Sequence, residues 1–558
     1  MAILGLMEAV CGQHMSNESI MKRTRPVLLG FLLLGSPAAL QAQFEYTTNA
    51  GAISITNYTG DGGAVIIPAS TNGLPVTSIG AEAFYGSFVT GVTIPDSVTS
   101  IGAEAFYGCG ELIGITIPAS VASIGTEAFG LCVNMTEIAV APENTNYSSL
   151  HGVLLDKSQG TLIEYPGGLA GSYTIPDSVT NIAAAAFEGC ASLTAVTIPA
   201  GVTSIGEDVF ANCYNMTSVT IPASVVNIGD QAFFGCNELA SATISEGVTN
   251  IGDQAFYACY ALASVTIPGS AASIGTGAFA WCIGLKEITV EGQNAFYSSV
   301  NGVLFDKRQA ALVAYPGGLG GSYTIPDTVT SIQASAFEGC DTLTNVTMPF
   351  SVNSIGEDAF AYCYDLASAA IPDSVTNIGA DAYYGCGDLT SVTISDGVTD
   401  LGEDAFYGCS GLTSITIPAS VTNMGEGTFE YCVQLTNIYF KGDAPAADSS
   451  VFAHDNGPLT AFYLPGATGW SSTFDGLPAV LWNAFIQAAD GSFGVRNNQF
   501  GFNLTGASNI SIVVEACTNL ANPVWTPLQT LVLSNGLFYF SDPQWTNYPA
   551  RFYRLSSP

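Results

Sequence analysis

Positive charge is scarce in this chain. Its 558 residues carry 11 Lys and Arg against 46 Asp and Glu, a formal net charge of −35. A polyanion of this kind repels nucleic acid and anionic membranes, so neither is an expected partner. Histidine is nearly absent at three residues, which leaves little material for a zinc site or for an imidazole base beside a serine nucleophile. No two cysteines stand in C-x-x-C spacing, and no segment has the dense D-x-D pattern and glycine turn of a calcium loop. Past the N-terminal region there is no apolar run long enough to cross a bilayer. Carboxylates are abundant but recur in step with a repeat, whereas catalytic acids break a repeat's pattern. No catalytic, cofactor or metal residue is therefore assigned.

Against these absences stands one strong regularity. Cys109 and Cys132, then Cys190, Cys213, Cys236, Cys259 and Cys282, then Cys340, Cys363, Cys386, Cys409 and Cys432 fall 23 residues apart within each group, and both gaps between groups are 58. A fixed period of this size predicts a solenoid in which each turn buries its apolar edge against the next.

One period, residues 193–215, shows how a turn is built. Leu193, Val196 and Ile198 follow an L-x-x-L-x-L pattern. In a strand Val196 and Ile198 share the inward face while Thr197 points out. Pro199 has no N–H for a neighbouring turn and ends the strand. The stretch Glu207-Asp208-Val209-Phe210 reads as a short helical or 3-10 turn with carboxylates at the positive end of its dipole. Stacked periods align Phe84, Phe106, Phe129, Phe187, Phe210, Phe233, Phe256, Phe279, Phe337, Phe360, Phe406 and Phe429, with Tyr383 as the substitute. At a rung spacing of about 4.8 Å these rings are expected to form one continuous core spine. The repeating cysteines, with apolar neighbours, read as buried free thiols filling small spaces rather than as disulfides.

The strand, the Pro after it and the G-x-x-A-F-x-x-C half-turn resemble the BspA-like leucine-rich-repeat family of bacterial surface and secreted proteins. The pattern recurs 13 times, from Ile79 to Met424. The resemblance implies an extended solenoid that binds proteins or surfaces, without catalytic residues. The expected fold class is an α/β-type solenoid of about 23-residue leucine-rich repeats, with parallel β-sheet on one face and short helical or 3-10 turns elsewhere.

A second repetition overlies the first. His151-Gly152-Val153-Leu154-Leu155-Asp156-Lys157 returns 150 residues later as Asn301-Gly302-Val303-Leu304-Phe305-Asp306-Lys307, and Tyr165-Pro166-Gly167-Gly168-Leu169 as Tyr315-Pro316-Gly317-Gly318-Leu319. Each 58-residue gap thus holds one ordinary turn plus a 35-residue irregular unit, near 141–172 and 291–322. The apolar runs 153–155 and 162–163 look like a strand pair. Segmental duplication accounts for the echo, and a bulging recognition loop is the functional alternative.

The ends differ from the middle. Residues 1–20 read as an upstream extension, and 21–42 as a secretory signal peptide. The latter has the basic head Met21-Lys22-Arg23-Thr24-Arg25, an apolar run at 27–34 and a cleavage site near Ala42. No Cys follows that run, so a lipoprotein anchor is not expected. Removing 1–42 takes away three basic and two acidic residues and leaves a balance of −36. Residues 43–63 are expected to form an N-terminal cap, 64–432 the solenoid, 433–482 a C-terminal cap, and 483–558 a small β-rich module resembling a β-sandwich.

The outward strand positions are the candidate ligand face. Thr197, Thr220, Thr243, Thr266, Thr393 and Thr416 form one row, joined by Thr116, Thr289 and Thr347. Ser218, Ser264, Ser391 and Ser414 stand beside it with Ser241. Threonine also suits any solvated strand. The expected function is an exported, non-catalytic binding or adhesion scaffold at the cell surface or secreted, with an extracellular protein or glycan as partner. The alternatives are a carbohydrate-binding protein, using this face or Trp525, Trp545 and Tyr548 of the C-terminal piece, and a structural surface-layer component.

Overall fold

The computed structural model describes residues 43–455, 458–482, 484–488, 491–496, 498–506, 511–533 and 536–556. The upstream extension and signal segment lie outside them. The repeats wind into a parallel β-solenoid with three walls. Four- and five-residue strands make the first wall. Leu193–Thr197, Ser218–Ile221 and Ser241–Ile244 pair in parallel, and partners in the last two differ by 23 residues, as in Val219↔Ala242. Two-residue strands such as Ser204–Ile205, Asn227–Ile228 and Asn250–Ile251 make the second wall. Val196 and Ile198 face inward and Thr197 outward, as the alternation predicts.

The third wall is a turn edge rather than a helix. Among the described residues the one helical element is the 3-10 turn Trp545–Asn547. Asp208, expected in a helical turn, has φ of 54°, and Glu104, Gln231, Gln254, Asp358, Asp381 and Asp404 share this left-handed state in the same slot. The wall's hydrogen bonds instead join successive rungs, with Phe210 N–H donating to Ala232 O at 2.9 Å and Phe233 N–H to Ala255 O at 2.8 Å. Carboxylates here therefore face no helix dipole. The glycine after the short strand serves close stacking, since a Cβ on Gly229 would lie 2.5 Å from the Gly206 carbonyl carbon.

The twelve repeat cysteines are free and buried. Each thiol donates to a backbone carbonyl of an earlier turn, as from Cys236 to Phe210 O at 3.1 Å and from Cys259 to Phe233 O at 3.3 Å. At the inserts the acceptors are Tyr165 and Tyr315, so these tyrosines occupy the phenylalanine slot. Burial pushes the Cys236 and Cys259 thiols well above their ordinary range, which suppresses the reactive thiolate.

The ring spine is not continuous. Phe84, Phe106 and Phe129 form one stack, Tyr165 to Phe279 a second, and Tyr315 to Phe452 a third, with centroids 4.7 to 5.9 Å apart within each. The inserts cause both breaks. Tyr147–Leu150 and Val153–Asp156 form an antiparallel hairpin, which pairs with Thr161–Glu164. Val153, Leu154 and Leu155 are all fully buried. Leu154 packs into the preceding core, while Val153 and Leu155 pack into the following one. In the second insert Leu304 faces back, and Val303 and Phe305 face forward. The inserts are thus internal walls that divide the interior into three cores, and they do not bulge as recognition loops.

Asn144 locks the first internal wall in place. Its Nδ2 donates to Pro118 O at 2.8 Å and Val121 O at 3.0 Å, while its Oδ1 accepts from the N–H of Asn146 and Tyr147 at 2.8 Å. Asn294 repeats all four bonds with Pro268, Ala271, Phe296 and Tyr297. The Tyr-Pro-Gly-Gly segment then passes close behind the turn edge, where a Cβ on Gly168 would fall 2.7 Å from Asn134.

At the N-terminal end Phe44–Asn49 and Ala52–Tyr58 form a hairpin, and Tyr58 stacks on Phe84 at 5.0 Å. At the far end the first wall continues through Asn437–Phe440, Thr460–Tyr463 and Leu477–Leu481. Two antiparallel sheets follow. One contains Phe485–Gln487, Gly494–Arg496, Gln499–Thr505 and Leu537–Asp542; the other contains Ser511–Cys517, Thr526–Val532 and Phe552–Ser556. They share a core of Phe502, Ile512, Val514 and Phe540 with Tyr439, Phe462 and Trp482 of the preceding strands and their end.

Candidate functional site: a hydroxylated sheet face

The first wall turns its polar side outward because Thr and Ser alternate with Val and Ile along each strand. Thr197, Thr220, Thr243, Thr266 and Thr393 are exposed, as are Ser218, Ser264 and Ser391, while Thr416 and Ser414 are half-buried. Thr197, Thr220 and Thr243 are direct neighbours in register, and Ser218 pairs with Ser241. Ser264 stands beside Glu287 and Thr266 beside Thr289, whose hydroxyls bond at 2.8 Å. Ser391 pairs with Ser368, but Thr393 meets Ala370.

The row is therefore three stretches rather than one. Ala139 ends the first beside Thr116. The second runs from Thr174 to Thr289. The third runs from Thr324 to Thr416, interrupted at Ala370, and ends where Ser414 and Thr416 meet Asn437 and Tyr439. Thr174 and Thr324, which pair with Thr197 and Thr347, extend the face and were absent from the sequence reading. The Thr-Ile-Pro tripeptide that each opens was the available signal. Tyr439 stacks on Phe462 at 5.3 Å beneath the C-terminal sheets, which cover the end of the face.

The tip of the second hairpin, Asn301-Gly302, reaches this face. There Lys286, Glu287, Thr289, Ser299, Asn301 and Gly302 line a polar recess of about 470 Å³. Its groups supply a cation, a carboxylate, hydroxyls and an amide, a set suited to reversible polar contacts.

The C-terminal aromatics are occupied on one side. The Arg554 guanidinium lies 4.6 Å from the Trp525 ring centre and that of Arg551 4.3 Å from Tyr548. Trp545 donates to Asn498 O at 3.3 Å. His454 bonds Glu430 at 2.8 Å and stacks on Tyr431, so it is not aligned with a serine nucleophile. Among the described residues no group of three His, Cys, Asp or Glu is arranged to hold a metal ion, and no helix is long and apolar enough to cross a membrane.

A three-walled parallel solenoid with a period of 23, a leucine-pattern strand and a polar outward sheet defines a leucine-rich-repeat protein. The chain belongs to the BspA type leucine rich repeat region family, whose six-copy pattern matches residues 71–151, 170–300, 321–436 and 353–469. Among solved structures it is similar to a leucine rich cell surface protein of Faecalibacterium prausnitzii, at 27% identity and a TM-score of 0.40, covering 79% of this chain and 93% of that one. It is also similar to the pneumococcal vaccine antigen PcpA, at 19% identity and a TM-score of 0.47, over 79% and 97% of the two chains. A leucine-rich repeat protein of Bacteroides ovatus shares 25% identity over 68% and 94%, with a TM-score of 0.32. No curated protein matches.

Proposed function

We propose that this protein is an exported, non-catalytic scaffold that binds an extracellular macromolecule through the outward face of its long-strand wall. The observation that carries the reading is the second Thr stretch: six rungs from Thr174 to Thr289 in one sheet position, ending at the recess by Lys286 and Asn301. A surface with few charges forgoes long-range steering and relies on shape and many weak hydrogen bonds, as a repetitive partner would require. Membership of the BspA type family supports a binding scaffold, and the basic-apolar segment at 21–42 supports export.

The test uses the chain from residue 43 to its end, because Tyr439 and Phe462 pack against the last two sheets. It is screened against extracellular proteins and a glycan array, alongside a Thr197→Lys/Thr243→Lys variant. A ligand that binds the parent and is lost with the double variant supports the reading. If retained ligands depend instead on Trp525 or Tyr548, the face is not the site.

A further inference from the structure

The two internal walls are copies, yet their polar chemistry has diverged. In the first, Glu164 ends the strand Thr161–Glu164 and is only 5% exposed, while Glu188 from the next turn is 9% exposed. Tyr107 donates to Glu188 Oε1 at 2.9 Å, and Oε2 is buried without a hydrogen-bond partner. Glu127 acts on both carboxylates from the turn before. At the equivalent places 150 residues on stand Ala314, Glu338 and Gly277. Glu338 there accepts from both Tyr257 Oη at 2.7 Å and Trp281 Nε1 at 3.1 Å, and Leu131 is the residue equivalent to that tryptophan. The same wall thus folds with Ala and Gly in two of the three acidic places, so architecture does not demand Glu127 or Glu164.

We propose that the first internal wall, the insert of Tyr147–Leu150, Val153–Asp156 and Thr161–Glu164, is a pH-sensitive joint between the first two cores, closed while protons are held among Glu127, Glu164 and Glu188 and loosened when they leave. The second internal wall has no carboxylate in its own strands at this place; its nearby carboxylates, Glu338 and Asp358, lie on the following turns, so its own hairpin gives a smaller response.

The surroundings supply no compensating charge. The groups acting on the cluster are Glu104, Tyr107 and Tyr85 on the preceding turns, Glu207 and Asp208 on the following ones, and the neutral thiols of Cys132 and Cys190. None of Glu104, Glu127, Glu164, Glu188, Glu207 and Asp208 forms an ion pair with a described residue. Two carboxylates held almost out of water, with the half-buried Glu127 acting on both, cannot all ionise cheaply, so a proton is the simplest way to close the wall. Burial and the charges of Glu188 and Glu127 push Glu164 well above the usual carboxylate range, and burial holds Glu188 at about 7. The closed wall holds protons that the opened wall releases, so closure is strongest in mild acid and weakens through neutrality.

Hydrogen exchange followed by mass spectrometry, corrected for intrinsic rates, tests this on the chain from residue 43 to its end. Between about pH 5.5 and 8, protection in residues 147–164 is expected to fall about tenfold more than in 297–314. Glu164→Ala, which installs the residue of the second wall, should remove most of that excess. Glu164→Gln/Glu188→Gln should do the same and keeps the side-chain volumes if the alanine variant folds poorly. Parallel profiles for the two walls overturn the proposal, as does an unchanged excess in a folded variant. Recovery of protection at about pH 8 on adding roughly millimolar calcium would also overturn it, since the cluster would then be a cation site.

Discussion

Tyr383 stands in a phenylalanine slot and is fully buried, yet its hydroxyl has no hydrogen-bond partner. An unpaired buried hydroxyl costs about 1–3 kcal/mol, so Tyr383→Phe is expected to raise stability by about that amount in urea melts. Phe256, stacked between Phe233 at 5.0 Å and Phe279 at 5.7 Å, sets the opposite scale. Phe256→Ala should cost about 3–5 kcal/mol, whereas Thr220→Ala on the exposed row should stay within about 0.5 kcal/mol. Equal losses at the two sites would mean that the inward and outward faces had been exchanged. The ring, cysteine and threonine columns were all legible in the sequence because each recurs at a strict interval. The left-handed turn residues were not, since Glu, Asp, Gln, Ala, Ser and Gly all occupy that slot and no residue type marks it.

Among elements, the crossing hairpins depart furthest from the sequence reading. The run Val153-Leu154-Leu155 was recognised as a strand, and its pairing is as expected. Its role was not read, although a clue was present. A strand with one solvent face alternates, whereas three consecutive apolar residues describe a strand covered on both sides. The asparagines that hold the hairpins carry no such signal: Asn144 and Asn294 look like loop asparagines but are each 1% exposed and make four hydrogen bonds. At about 1 kcal/mol per bond, Asn294→Ala is expected to cost roughly 2–4 kcal/mol. Exchange should quicken first in residues 294–306. A uniform rise along the solenoid would assign the asparagine no local role.

For the whole molecule the acidic balance becomes a statement about pH. Asp358 is pushed up to about 8, Glu188 and Asp455 to about 7, and Asp208, Asp381 and Asp404 to about 6, with burial the largest cause in each. Unfolded carboxyls titrate near 4, so the folded chain keeps protons that the unfolded chain gives up. The resulting stabilisation is complete below about pH 4 and is lost as pH rises through about 8. The melting temperature at about pH 5 should therefore exceed that at about pH 8. A flat or inverted profile would show that these groups ionise freely in the fold. The three separate cores further predict more than one unfolding step, because each wall interrupts the stack through which neighbouring turns stabilise one another.

Each wall presents a back face that fits the end of a run of turns and a front face on which a new run can begin. Leu154 and Leu304 serve as the back, and Val153 with Leu155, or Val303 with Phe305, as the front. A 150-residue cassette bounded by such walls carries both halves of its own joint, so one copy can follow another without a new interface having to evolve. Length then becomes a variable that recombination can change in whole cassettes, while the N-terminal hairpin and the C-terminal sheets stay as they are.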